Sequence, residues 1–275
     1  MEPLESSHIV VNAARFIARL AIQIVVDKSP AGLVSYLPYY AKLRIQTLSE
    51  YEMSNIFKLD AIDWLKSLSN ESIDLFVTDP PYESLEKHRK IGTTTRLKQS
   101  KSSSNEWFRI FPNDRFEELF VEVYRVLKQN SHFYLFCDQE TMFIAKPLAE
   151  KAGFKFWKPI VWDKCSIGMG YHYRSRYEFI LFFEKGKRKL NDLSIPDVLE
   201  FKRVWKGYPT EKPVDLLKVL IKQSSNAGDL VADSFFGSGS TLLAAKELSR
   251  NFTGCDISDS AHSYFNARNN KENNS

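Results

Sequence analysis

The chain has 275 residues, 43% of them hydrophobic, enough for one large domain or one domain with a modest attachment. Its 38 Lys and Arg against 34 Asp and Glu leave a formal charge of +4, too mild to define a class of partner. Three cysteines, an odd number with no C-x-x-C spacing, argue against a disulfide scaffold or a zinc site, so a reducing, cytoplasmic setting is expected.

Residues 1–52 predict an N-terminal helical attachment or an extension. Val10 to Val26 reads as an amphipathic helix, Ser29-Pro30 breaks it, and Gly32 to Leu43 forms a second short element. Asn12, Arg15, Arg19 and Gln23 interrupt the apolar stretch, so it falls short of a membrane span, and Glu2 and Glu5 precede any basic residue, unlike a secretory signal. Phe16, Ile17, Leu20, Ile24 and Val25 favour packing on the core, since they would otherwise leave an apolar surface.

A domain is expected over residues 53–268, opening with Ile56 to Asp60 and a short helix from Ala61 to Leu68. Ile73 to Thr78 predicts a buried strand, which two prolines stop at Asp79-Pro80-Pro81-Tyr82. A basic loop over 83–113 has no hydrophobic period and is expected to be mobile and to close over a polyanion, with an inert surface insertion as the alternative. Trp107, Phe108, Ile110 and Phe111 would anchor its far end or press against an opened base step. A helix follows from Asp114 to Leu127, then a strand at Phe133 to Phe136 and a helix from Gln139 to Lys151 that Pro147 should bend or interrupt. Phe154 to Trp162 and Tyr177 to Phe183 read as strands, and Pro213 to Gln223 as a helix opened by proline. Strand Leu230 to Ala232, helix Ser240 to Ser249 and strand Phe252 to Cys255 complete the pattern, and 269–275 reads as a frayed polar tail. Strands alternating with helices imply an α/β, doubly wound, mostly parallel sheet.

Charge is concentrated in two places. Residues 83–109 hold seven basic and three acidic side chains, and residues 185–206 repeat those numbers, so the rest of the chain carries about four net negative charges. Such segments attract a polyanion or form ordinary solvated loops.

Two motifs carry chemistry. In Asp233-Ser234-Phe235-Phe236-Gly237-Ser238-Gly239-Ser240-Thr241, a strand end turns through glycines into a helix whose first N–H groups are unsatisfied, which suits a nucleotide-like cofactor or simply close helix packing. Asp256, at the end of the next strand, can accept both hydroxyls of a ribose. In Asp79-Pro80-Pro81-Tyr82 the prolines stiffen the strand end and leave carbonyl acceptors for an amino group, while Tyr82 offers a flat face to a base; a proline-rich turn with a capping aspartate is the alternative.

Together the motifs resemble the amino-group (N6-adenine/N4-cytosine) DNA methyltransferases of the class whose catalytic motif precedes its cofactor motif. The resemblance spans Ile56 to Phe265 and extends to Leu59-Asp60, Pro209-Thr210-Glu211-Lys212-Pro213 and Asn251 to Asp256. It departs from the family pattern at Tyr208, where histidine is usual, and at Ser234, where proline is usual. It implies a seven-stranded sheet of the methyltransferase type with permuted motif order and a reversed strand near Tyr177 to Phe183. The implied cofactor is S-adenosyl-L-methionine, held by Asp60, Asp79, Thr210, Lys212, Asp233, Phe235, Phe236, Gly237, Ser238, Gly239, Thr241 and Asp256. The implied catalytic residues are Asp79, Pro80, Pro81 and Tyr82.

The expected activity is methyl transfer to the N6 amino group of adenine in double-stranded DNA with the target base flipped out. Asp as the first residue of the tetrapeptide favours adenine by resemblance; cytosine N4 or RNA, and a non-catalytic nucleic-acid-binding protein, are the alternatives. Lys87, Arg89, Lys90, Arg96, Lys98 and Lys101, with Lys187, Arg188, Lys202 and Arg203 in a short recognition segment over 185–207, are the expected nucleic-acid contacts. A homodimer and a cognate restriction endonuclease are expected partners. His8, His88, His132, His172 and His262 are scattered, so no metal is assigned.

Overall fold

The computed structural model describes residues 55–83, 109–168, 173–205 and 207–272. The N-terminal segment 1–52 and most of the basic loop, including Lys87, Arg89, Lys90, Arg96, Lys98, Lys101, Trp107 and Phe108, lie outside the described residues.

Among the described residues eight strands form one sheet: β1 (Ile56–Phe57), β2 (Ile73–Thr78), β3 (Leu127–Cys137), β4 (Lys155–Asp163), β5 (Tyr177–Lys185), β6 (Val198–Glu200), β7 (Leu230–Asp233) and β8 (Asn251–Cys255). Their order is β1-β8-β7-β2-β3-β5-β4-β6, and every neighbouring pair is parallel except those that include β5. The reversed strand is therefore the one expected near Tyr177. Six helices flank the sheet among the described residues: α1 (Ala61–Ser67), α2 (Phe116–Val126), α3 (Gln139–Lys151), α4 (Val214–Ser224), α5 (Ser240–Glu247) and α6 (Asp259–Glu272).

Alternation along the central strands divides the core in two, because successive side chains of a strand point to opposite faces. Phe76, Phe133, Leu135 and Phe183 pack with Trp64 of α1, Phe116 and Leu119 of α2 and Ala145 of α3. Leu75, Val77, Tyr134 and Phe136 pack on the other side with Leu216 and Leu220 of α4, Leu242 and Leu243 of α5 and Phe265 of α6. Strands buried on both faces read as continuous apolar runs, which is what made β2 and β5 visible in the sequence.

Three expectations need correction. The sheet has an eighth strand, β6, which pairs with the end of β4 through only three residues, of which Leu199 alone is buried. Pro147 lies inside α3 without interrupting it: the helix runs from Gln139 to Lys151, held at its start by Asp138 accepting from Thr141 N at 2.8 Å. The polar tail does not begin at 269: α6 continues to Glu272, and buried Asn269 accepts from Lys246 Nζ at 2.7 Å.

The topology fixes where a ligand can sit. From β7 the chain goes on to β8 on one side, and from β2 to β3 on the other, so the order reverses between two adjacent strands. A crevice opens at the carboxyl ends of strands at such a point. Thr78, at the end of β2, donates to Asp233 Oδ1 at the end of β7 across 2.8 Å.

Candidate active site

A cavity of about 540 Å³ lies at these strand ends. Both sequence motifs open into it: Asp79, Pro80, Pro81 and Tyr82 from the end of β2, and Asp233, Phe235, Phe236, Gly237, Ser238 and Thr241 from the turn between β7 and α5. Asp60, Thr210, Lys212 and Asp256 also line it.

The glycines of the turn serve two different ends. Gly237 has φ +48°, and an added Cβ would come no nearer than 3.5 Å to Tyr208, so the left-handed backbone alone selects glycine there. Gly239 has φ +75°, and a Cβ would lie 2.1 Å from Cδ2 of Phe265. It does not line the cavity, so its expected cofactor contact is replaced by a packing role beneath the loop. Phe236 is divided: it lines the cavity but is almost wholly buried, edge-on to His262 and packed on Phe265.

The acidic groups are held firmly. Asp256 accepts from Gly237 N at 3.0 Å and Ser258 N at 2.8 Å, and burial raises its pKa above the ordinary carboxylate value. Asp233 accepts from Thr78 and from Phe235 N at 3.0 Å; burial pushes it up to about 6. Asp60 caps α1 through Ile62 N at 3.0 Å and takes both terminal nitrogens of Arg115 at 2.8 and 2.7 Å, which hold its carboxyl below the usual range.

On the catalytic side the segment 109–113 closes one wall. Phe111 N donates to the Pro81 carbonyl at 2.8 Å, and the Phe111 ring is buried edge-on to Phe116 and Phe235, so this end of the basic loop is anchored as expected. Among the described residues the Pro80 carbonyl takes no backbone hydrogen bond, which leaves it as an acceptor.

A charge cluster surrounds the tetrapeptide. Lys212 Nζ binds Asp79 Oδ2 and lies 3.3 Å from Glu178 Oε1. Lys164 Nζ lies 3.0 Å from Glu178 Oε2, and the Tyr82 hydroxyl donates to Glu178 Oε1 at 2.7 Å. Burial works against charge on Glu178, but Lys212, Lys164 and Tyr82 outweigh it and hold the carboxyl at about 2. Burial opposes charge on Lys212 as well, yet Asp79 and Glu178 hold it well above the ordinary lysine value. Asp79 is raised by burial first and by Glu178, against the pull of Lys212. Tyr82 is mostly enclosed, with its hydroxyl committed to Glu178, so its ring is a wall of the cavity more than an open platform.

Sequence reasoning missed Glu178 and Lys164. A glutamate inside the apolar run Tyr177 to Phe183 was the available signal, since a buried carboxylate requires a partner. It also treated 185–206 as one basic surface, and the sheet separates it. Lys187 and Arg188 follow β5, whose Lys185 pairs with Ser131 near the start of β3, at the opposite end of the strands from Asp79. Arg188 is partly buried there, its carbonyl 3.1 Å from His132 Nε2. Arg203 lines the cavity rim beside exposed Lys202, with its guanidinium 3.8 Å from the ring centre of Trp205.

A doubly wound sheet with one reversed strand, bringing a glycine turn and an acidic strand end beside Asp-Pro-Pro-Tyr, defines an S-adenosylmethionine-dependent methyltransferase. Residues 73–267 match the family model described as DNA methylase, and the chain belongs to this N6/N4 DNA methyltransferase family. It is 31% identical over 226 residues to the type II methyltransferase M.HpaI of Haemophilus parainfluenzae, covering 72% of this chain and 68% of that protein. It is 29% identical over 245 residues to the DNA adenine methyltransferase YhdJ of Escherichia coli, covering 75% and 79%. The crystal structure of the M1.HpyAVI–S-adenosylmethionine complex superposes with a TM-score of 0.58 at 23% identity, covering 78% of this chain and 98% of that one.

Proposed function

We propose that this DNA methyltransferase transfers the methyl group of S-adenosyl-L-methionine to the N6 amino group of adenine in double-stranded DNA. The carrying observation is that Asp79 and the turn from Asp233 to Thr241 face one cavity although 155 residues separate the hydrogen-bonded pair Thr78 and Asp233.

The residues present fit the cofactor. The cavity volume of about 540 Å³ falls within the range of roughly 300 to 1,000 Å³ that small-molecule sites occupy. Asp256 already accepts backbone N–H groups on both oxygens and stands at the strand end where a carboxylate meets ribose hydroxyls. Asp256, Gly237, Ser238 and Thr241 would hold the nucleoside part, and Asp233 and Thr210 the methionine part. The cofactor supplies a methyl group already activated on a sulfonium.

What remains for the protein is alignment and charge stabilisation. Asp79 and the Pro80 carbonyl accept hydrogen bonds from the amino group of the base, which orients its nitrogen and stabilises it as it becomes positive. Asp79, with a raised pKa, is also placed to receive the departing proton. An amino group paired inside a duplex cannot reach this cavity, so the base leaves the stack. Adenine over cytosine is supported by Asp79 as the first residue of the tetrapeptide and by the likeness to an adenine methyltransferase.

The test is incubation with methyl-labelled cofactor and either DNA or RNA, followed by nucleoside separation. N6-methyladenine in the DNA arm is the expected product. N4-methylcytosine would replace the adenine reading, and label in RNA alone would overturn the DNA substrate.

A further inference from the structure

Glu178 stands at the start of β5, the reversed strand, opposite Trp162 of β4 in the sheet register. Its side chain is nearly buried, and both oxygens are used: Oε1 accepts from Tyr82 at 2.7 Å with Lys212 at 3.3 Å, and Oε2 has Lys164 at 3.0 Å. Lys212 carries its other contact to Asp79 Oδ2. One carboxylate therefore touches the last residue of the catalytic tetrapeptide directly and the first through a single ammonium.

We propose that Glu178 is a positioning residue for methyl transfer: it fixes the Tyr82 ring as the wall against the target base and, through Lys212, turns Asp79 so that its Oδ1 faces the incoming amino group. This rests on the methyltransferase reading of the site and deepens it.

The alternative, that Glu178 only neutralises two buried lysines, fits the arrangement less well. Lys212 already has Asp79 as counter-ion, and Lys164 is partly exposed, so neither cation requires this carboxylate to be buried. A buried ion pair is weak ground for stability by itself, because desolvation offsets the attraction. What distinguishes Glu178 is that it holds the Tyr82 end of the Asp79-Pro80-Pro81-Tyr82 turn, which the Lys212–Asp79 pair does not reach, and so ties both ends of the turn to the stretch before α4 that carries Lys212. Two prolines prevent the turn from bracing itself through backbone N–H groups. A side-chain brace from β5 takes their place.

Asp79 is faced by Lys212, Lys164, Glu178, Tyr82 and Asp233. Glu178 raises its pKa, so neutralising Glu178 lowers it and moves the acid limb of the rate profile to lower pH, a shift that loss of packing alone does not produce.

The test uses the full chain. For Glu178→Gln, which keeps the shape and an acceptor for Tyr82, single-turnover transfer to unmethylated genomic DNA should fall about 100-fold, the usual cost of a misplaced catalytic group. S-adenosylmethionine affinity, measured by calorimetry, should stay within about twofold of the parent, as for a change that spares ground-state binding. Glu178→Asp, which keeps the charge but withdraws the oxygens by one methylene, should slow transfer without moving the acid limb, and it serves if the Gln variant does not fold. A wild-type rate in either variant, or a slow Gln variant with an unmoved acid limb, overturns the proposal. Carboxyl ¹³C titration of Asp79 in the free protein, identified by difference with Asp79→Asn, reads the same coupling without turnover. Thus a parent protein that methylates no DNA sinks the functional reading, while an Asp79 titration unchanged by Glu178→Gln separately sinks the role of Glu178.

Discussion

Replacing Gly239 by alanine probes how the cofactor turn is held from beneath. At φ +75° the left-handed backbone costs an alanine about 1 kcal/mol. The new Cβ would also lie 2.1 Å from Cδ2 of the buried Phe265 ring, and making room in a filled core adds about 1 to 3 kcal/mol. Gly228→Ala is the matched control, because Gly228 has φ +86° with nothing within 4 Å of an added Cβ and bears only the backbone cost. Gly239→Ala should therefore lose about 2 to 4 kcal/mol and Gly228→Ala about 1 kcal/mol. At roughly 2 to 4 °C per kcal/mol, their Tm values should separate by several degrees. Urea denaturation without ligand measures the difference directly, and S-adenosylmethionine titration should show weakened affinity only for Gly239→Ala. Equal losses in the two variants would refute the reasoning, because Phe265 would then yield without resistance.

Asp79→Ala should abolish transfer while leaving cofactor affinity within a few-fold, as binding isotherms and single-turnover rates will show; an equal loss of both would remove Asp79 from the substrate side. Asp256→Ala should weaken cofactor affinity by about 10- to 100-fold, the worth of a charged hydrogen-bond acceptor, with a smaller loss at saturating cofactor, and unchanged affinity would exclude it from the site. Alanine at Lys202 and Arg203 should reduce DNA affinity and lower the salt slope by about 1 to 2, whereas alanine at Lys187 and Arg188 should leave the slope unchanged; the opposite ranking in a salt titration would move the DNA face to the other end of the strands. His132 is held neutral with a pKa of about 4 by burial, its Nε2–H donating to the Arg188 carbonyl and its Nδ1 accepting from Ser224. The unfolded chain takes up this proton near pH 6.5, so the contribution is complete above that pH and about 3 kcal/mol is lost as pH falls to 4. Asp233, raised to about 6, acts in the opposite sense over much of that window. Comparing His132→Gln with the parent in urea at pH 7.5 and pH 5 isolates the histidine, and parallel losses in both proteins would contradict the assignment.

Elements were legible where one signal dominated. The apolar run Ile73 to Thr78 stopped by prolines gave β2 its bounds, and Pro213 marked the start of α4. β6 was not legible, because a strand of three residues with one buried side chain has no period to detect. The motifs revealed both halves of the cavity, yet the group that joins them was hidden. Tyr82 and Glu178 are 96 residues apart; the register of β4 and β5 brings Lys164 to Glu178, and the stretch before α4 brings Lys212 to it from another part of the chain. The basic stretch over 185–206 misled for a related reason: a charge count along the chain cannot show that the backbone travels from one end of the sheet to the other between Arg188 and Arg203.

The reversal of β5 also affects how such a chain can diverge. In a parallel sheet, each return to the catalytic edge requires a crossover helix that must repack if it is altered. Because β5 runs the other way, β4 ends and β5 begins at that same edge, and the chain from β6 re-enters there through Lys202 and Arg203. Lengthening such a connection costs only about 0.6 kcal/mol for each doubling of its length. New segments can therefore be inserted beside the cavity while the strands, the glycine turn and the tetrapeptide keep their register.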